Sequence, residues 1–256
     1  MKTSILSAKK YKVVRITLAW AVWLLIWQAL AWWVGRDLLL PGPITVGQTL
    51  VELLGSPDFR SAASFSLLGI MVGFLSGVMV GSLLALLTWA SPLLDALFSP
   101  LLRLIRTAPV ASFIILALLW LTSRTVPMVI SALMVIPILW SSTKTAIEET
   151  DQALLEMAKA YRFSRFRTFR LIYLPAILPQ WTAAAAMAMG LAWKSGIAAE
   201  VIAQPSPAMG TSLYRARLFL NTEELFAWTA LIILASFILE RLFLRLMARL
   251  GRRYAQ

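Results

Sequence analysis

Six long apolar runs, each close to the length that crosses a bilayer, constrain this chain of 256 residues more than anything else in it. They lie near 16–34, 64–89, 109–121, 126–143, 176–203 and 225–244. A helix needs about 20 residues to traverse about 30 Å of hydrocarbon, and inside lipid it must satisfy its own backbone polar groups. Hydrophobic residues make up 60% of the chain and charged residues 14%, with a mean hydropathy of +0.78. A soluble domain is roughly half apolar and about a quarter charged. The expected fold is therefore all-α: one polytopic membrane domain over residues 1–256, with about six transmembrane helices. A β-barrel would instead show alternating segments of about 10 residues.

The chain has no cysteine and no histidine. That removes disulfides, thiol chemistry, Cys-based metal sites, the commonest general base and the commonest metal ligand. No metal site and no catalytic residue are expected, and the chain does not read as an enzyme. Its pI of about 10.7 would suggest nucleic acid in a soluble protein. In a membrane protein it reports loops rich in Lys and Arg, so the expected contact is the lipid bilayer and not nucleic acid.

Those cations set an expected orientation. Five precede the first run, two stand at 103–106, six at 144–170 and five at 241–253, eighteen of the 24. With an even number of spans, this asymmetry puts both termini in the cytoplasm. The basic start could open a signal peptide, but the apolar run is too long and no small-residue cleavage site follows. In the second run Gly69, Gly73, Gly77 and Gly81 recur every four residues, a stripe along which another helix can approach closely. Pro109 interrupts the third run, so a helix beginning earlier would be kinked there.

The stretch 144–174 is far more polar than its neighbours. Thr150 or Asp151 can cap a short helix, on which Ala153, Glu156, Met157 and Ala160 share one small, nearly apolar face. Ser164 can cap a second short helix, 165–171, ended by Pro175. Here the chain resembles the permease subunits of bacterial binding-protein-dependent ATP-binding-cassette importers. Their pattern places Glu-Ala-Ala before a Gly six residues after the Glu, an Ile sixteen after it and Leu-Pro at eighteen and nineteen. Glu156, Ala158, Ile172, Leu174 and Pro175 fall at those offsets. Met157 replaces the first Ala, and Arg162 takes the Gly position, where glycine permits a left-handed turn. Either this turn has another shape or the docking helix runs longer. Leu40-Pro41-Gly42-Pro43, Arg106-Thr107-Ala108-Pro109 and the stretches 193–203 and 209–220 also resemble the nitrate/sulfonate/taurine group.

The resemblance implies a multi-pass inner-membrane subunit that homodimerises around a translocation path. Its cytoplasmic coupling helix, with Glu156, Met157, Ala158, Ala160, Arg162, Leu174 and Pro175, would dock in a groove of a separate ATPase. The chain has no Gly-x-x-x-x-Gly-Lys-Ser/Thr loop, so ATP would be bound by that partner and no cofactor by this chain. A periplasmic or lipid-anchored binding protein would deliver the substrate: nitrate, a sulfonate, taurine or a neutral pyrimidine precursor.

Lys194, inside the fifth run, has two readings. It contacts an anionic substrate along the path, or it snorkels to the outer surface or pairs with a carboxylate. Trp181, Trp193 and Trp228 read as interface-belt residues. Residues 204–221 read as an outer segment with a short helix, 211–219, whose Arg215 and Arg217 would face the binding protein or serve as surface charge. A secondary transporter would need paired half-helices and intramembrane acids, which the apolar runs do not advertise. A membrane scaffold would share the hydropathy without depending on an ATPase.

Overall fold

The computed structural model describes the backbone of residues 2–254 and, residue 16 excepted, the side chains of 14–247. Lys2, Lys9, Lys10, Lys12, Arg249, Arg252 and Arg253, part of the orientation argument, carry side chains outside that range. The described residues are helical, with no strand. The helices are α1 (Lys2–Val34), α2 (Pro43–Gly55), α3 (Pro57–Ala90), α4 (Pro92–Thr107), α5 (Val110–Ala117), α6 (Val126–Glu148), α7 (Gln152–Ala160), α8 (Arg165–Thr168), α9 (Leu174–Ala203), α10 (Met209–Leu218) and α11 (Thr222–Tyr254).

Among the described residues, four helical stretches are long and apolar enough to cross a membrane: Thr17–Val34 in α1, all of α3, all of α6, and Arg165–Ala203. The bent pair α4 and α5 makes a fifth if counted as one span. The third predicted run is thus not a straight crossing. α5 has only 8 residues, about 12 Å of rise, and it meets α4 at 107°. Ala108 and Pro109 are extended, as expected where proline disfavours helical geometry for the residue before it. The sixth predicted run falls within α11.

The chain packs as two units. One combines the residues up to Phe59 with Ser212–Leu231. In it the Trp27 indole donates to the Pro41 carbonyl at 3.1 Å, and Gly42 lies where a Cβ would come within 3.2 Å of the Gln28 amide. The Leu40-Pro41-Gly42-Pro43 stretch is therefore the tight corner between α1 and α2. Trp27 also stacks on Phe226 at 5.9 Å.

The second unit holds Arg60–Thr211 and the residues from Ile232 onward. Lipid is as apolar as leucine, so spanning helices associate through close packing and hydrogen bonds, not through release of water. α3 and α6 do this along the glycine stripe. A Cβ on Gly73, Gly77 or Gly81 would stand 2.3, 2.8 and 2.6 Å from the carbonyls of Met128, Ala132 and Ile136. The register rises together on both helices, so they run parallel. Gly69 meets nothing within 4 Å and is not part of the seam. α9 runs antiparallel to α6, pinned where Ser131 Oγ donates to the Ala192 carbonyl (3.0 Å) and Ser142 Oγ to that of Gln180 (3.3 Å). Gly196 allows this approach, since a Cβ there would lie 2.6 Å from Ser131 Oγ.

Pro175 does not end the second short helix. α8 continues through a π-helical turn, Phe169–Tyr173, directly into α9. In a regular helix the proline ring would strike the carbonyl four residues earlier, on Leu171. The wider turn, closed by the Leu174 N–H on the Phe169 carbonyl, spreads the backbone where that clash would fall.

Candidate functional site

The candidate coupling segment lies between the end of α6 and the start of α9. Asp151 caps α7, its carboxylate accepting from the Ala153 N–H at 2.9 Å. Thr150 instead is buried and bonds back to the Ala146 carbonyl. Ala153, Glu156, Met157 and Ala160 are all exposed, as one face of the helix. Ala158, grouped with them from the sequence pattern, points the other way and is 3% exposed. Its methyl is buried on the side of α7 away from that face. Ile172 is likewise buried, Leu174 half-buried and Pro175 exposed.

Neither sequence expectation for Arg162 holds. The turn keeps the glycine shape with an arginine in it, at φ +51°. Arg162 N–H donates to Lys159 (3.0 Å) and Phe163 N–H to Ala158 (2.8 Å), the paired closure that ends many helices on a left-handed residue. The exposed side chain extends freely from this position, and the backbone strain costs about 1–2 kcal/mol. Ser164 then caps α8, accepting from Arg167 N–H at 3.3 Å, and the Arg167 guanidinium lies 4.2 Å over the Phe163 ring.

A cavity of about 1160 Å³ opens among α4, α6, α9 and α11. Its wall on α9 extends from Gln180 to Ile197, about 26 Å of helix. Most of the lining is apolar, but Arg106, Lys194 and Glu240 all contribute to it. None of the three makes an ion pair within 4.0 Å among the described residues; the ion pairs there centre on Lys144, with Asp95 (2.6 Å) and Glu148 (3.9 Å). Lys194 stands nine residues short of the end of α9, or about 13 Å in from it. Arg106 was read from sequence as a loop cation; the short α4–α5 break turns it toward the cavity. Glu240 borders the basic end of α11 in sequence, and the tertiary arrangement places it in the same lining as these cations.

Two of the three tryptophans expected in an interface belt are inside the protein. Trp193 and Trp228 are buried, and Trp193 donates to the Ile232 carbonyl at 3.1 Å. Trp228 packs on Phe59 at 5.9 Å, while Trp181 donates to Ser82 Oγ at 2.8 Å. The indole N–H groups of Trp193 and Trp181 thus bond across to other helices, while Trp228 is held by its ring contact.

At the opposite end of α9 from the coupling segment, Glu200 is fully buried. One carboxyl oxygen, Oε2, accepts from Ser66 Oγ and from Gly210 N–H, both at 2.9 Å. Oε1 is enclosed without a hydrogen-bond partner. Lys194, six residues earlier on α9, is exposed, so the two side chains do not share a face. α10 begins here, two residues earlier than expected, and carries Arg215 and Arg217 exposed.

Residues 77–256 match the family described as "Binding-protein-dependent transport system inner membrane component". The chain belongs to that family. This permease is 28% identical to a Bacillus subtilis (strain 168) protein named for aliphatic sulfonate transport, across 86% of this chain and 80% of that one. It is 26% identical to the taurine transport system permease of Escherichia coli (strain K12), over 79% and 76% of the two chains. To the nitrate import permease of Synechocystis it is 27% identical, over 75% and 72%. Its fold is shared with a chain of the inward-facing MetNI methionine transporter: TM-score 0.65, 13% identity, 75% of this chain and 95% of that one. A chain of a bacterial alginate importer aligns with TM-score 0.63 and 17% identity, over 94% and 96%. The permease is a multi-pass inner-membrane transport subunit, not an enzyme.

Proposed function

We propose that this permease homodimerises to form the path of an ATP-driven importer of small anions, with both termini and α7 in the cytoplasm and six crossings per chain. Two copies of an ATPase subunit bind the ATP; this chain binds none. The exposed face of Ala153, Glu156, Met157 and Ala160 enters a groove on each ATPase. Arg162, at the left-handed turn, borders that contact, and Leu174 and Pro175 pass movement into α9. On the periplasmic side Arg215 and Arg217 meet a substrate-binding protein.

The observation that carries this reading is one helical element with the α7 turn at its base and the Lys194 cavity along its flank. A substrate in that cavity meets two cations and one carboxylate in an otherwise apolar wall, a balance that favours an anion over a neutral or cationic solute. The sulfonate and nitrate transport of the relatives fits the same sign of charge, and taurine, a zwitterion near neutral pH, carries a sulfonate of that sign. The test is reconstitution of the permease with its ATPase and binding protein in proteoliposomes. ATP-dependent uptake of labelled taurine or nitrate is expected, lost when Glu156 is replaced by Lys. Uptake by the permease alone, without ATPase or ATP, would overturn it.

A further inference from the structure

Among the described residues, Glu200 is the one buried carboxylate that neither the cavity nor the candidate coupling segment uses. It lies in α9, with a span's worth of apolar helix below it, and a carboxyl in such a place is expensive unless it is bonded. Ser66 Oγ both donates to Glu200 Oε2 and accepts from Met209 N–H, each at 2.9 Å. Gly210 N–H donates to the same Oε2 at 2.9 Å. Thr211 Oγ1 donates to the carbonyl of Pro205 and lies 3.5 Å from that of Glu200. The otherwise open N–H groups at the start of α10 are thus satisfied by side chains of α3 and α9. Gly210 makes the approach possible, because a Cβ there would stand 2.6 Å from Glu200 Cβ and 2.8 Å from the Ile197 carbonyl.

We infer that Glu200 is a positioning residue, a clasp that holds the first turn of α10 to α3 and α9 so that events on α10 reach the transport helix. This rests on the importer reading for its consequence but not for its geometry. α10 carries Arg215 and Arg217 five and seven residues beyond Gly210. α9 carries Lys194 six residues before Glu200 and leads unbroken to the coupling segment. An oxygen that accepts from both the Ser66 hydroxyl and the Gly210 backbone makes the two contacts depend on each other. Losing it leaves two buried donors unpaired, whereas an amide oxygen in its place keeps both.

The natural chain has no cysteine, so a single Ala208→Cys, at a position 1% exposed, reports on the clasp through its rate of maleimide labelling. Glu200→Ala is expected to raise that rate about 10-fold, the opening equivalent of roughly one lost hydrogen bond; Glu200→Gln leaves it near the parent rate. In proteoliposomes with the ATPase, Glu200→Ala keeps basal ATP hydrolysis. It loses most of the stimulation by binding protein loaded with taurine or nitrate, and Glu200→Gln restores it. An unchanged labelling rate in Glu200→Ala overturns the clasp. Faster labelling with intact stimulation overturns its role in coupling, as does equal loss of basal and stimulated hydrolysis. Should Glu200→Ala fail to accumulate in membranes, Ser66→Ala, which removes one donor and the acceptor of Met209, carries the same two readouts. If the parent chain never assembles with an ATPase, the importer reading fails while the labelling still decides the geometry.

Discussion

Phe163 donates its backbone N–H to the carbonyl of Ala158 at 2.8 Å, closing α7 around an arginine in left-handed conformation. The bond is short, yet Arg162 pays for it in strain that glycine would not feel. Replacing Arg162 by Gly should therefore stabilise the local turn by about 1 kcal/mol, a rise in Tm of about 2–4 °C for a chain of this size. Arg162→Val should lower Tm by a similar or larger amount, because a β-branched residue is a worse fit there. Thermal unfolding in detergent checks both.

The exposed face of α7 gives a second expectation. Ala160→Arg adds a long cation to a face that is small and nearly apolar, and Glu156→Lys reverses its one charge. Both variants should insert normally and abolish co-purification of the ATPase. Full recovery of the ATPase with Ala160→Arg would remove that face from the interface. Ala158→Leu, by contrast, overfills a buried site at a cost of about 1–3 kcal/mol, and should lower stability before it alters partner binding.

Along α3 the glycines divide. Gly73→Ala drives a methyl against the Met128 carbonyl, where the clash is with backbone and cannot be relieved by a rotamer change; a loss of about 1–3 kcal/mol is expected. Gly69→Ala meets open space and should be neutral or stabilising by up to about 1 kcal/mol. Equal Tm values for the two variants would contradict the seam between α3 and α6.

Lys194 and Arg106 predict the response of transport to charge. Lys194→Ala should weaken uptake more than Lys194→Arg, mainly in the apparent KM for an anionic substrate. Glu240→Gln should move the same parameter in the opposite direction, because it removes the negative charge that offsets the cations. Equal activity of both Lys194 variants would return that residue to a structural place in the wall.

How much of this was readable follows the range of the forces involved. Apolar runs and caps are local, so the extent of α9, the end of α3, the start of α6, the Asp151 and Ser164 caps and the break at Pro109 stand in the sequence within a few residues, while the polar first turns of α3 and last turn of α6 do not. The exposed Ala153–Glu156–Met157–Ala160 face was legible for the same reason, since helical periodicity alone groups those side chains. Ala158 lies on the opposite side of the same helix, and the family pattern hid what its position in the turn implies. The π-helical passage across Pro175 was not legible, because a proline after a short helix ordinarily reads as its end. Glu200 and Glu240 depended on which helices meet: a lone acid in an alanine-rich run gives no hint that Ser66, 134 residues away, will bond to it.

The passage through Pro175 has one more consequence. Arg165–Ala203 is 39 residues without interruption, a rod of about 58 Å at helical rise. A tilt of only about 10° about one end would swing the other by about 10 Å, a displacement on the scale of a helix diameter. A sequence that had stopped its helix at the proline would have put a joint there, and any thrust from below would have been spent in bending it.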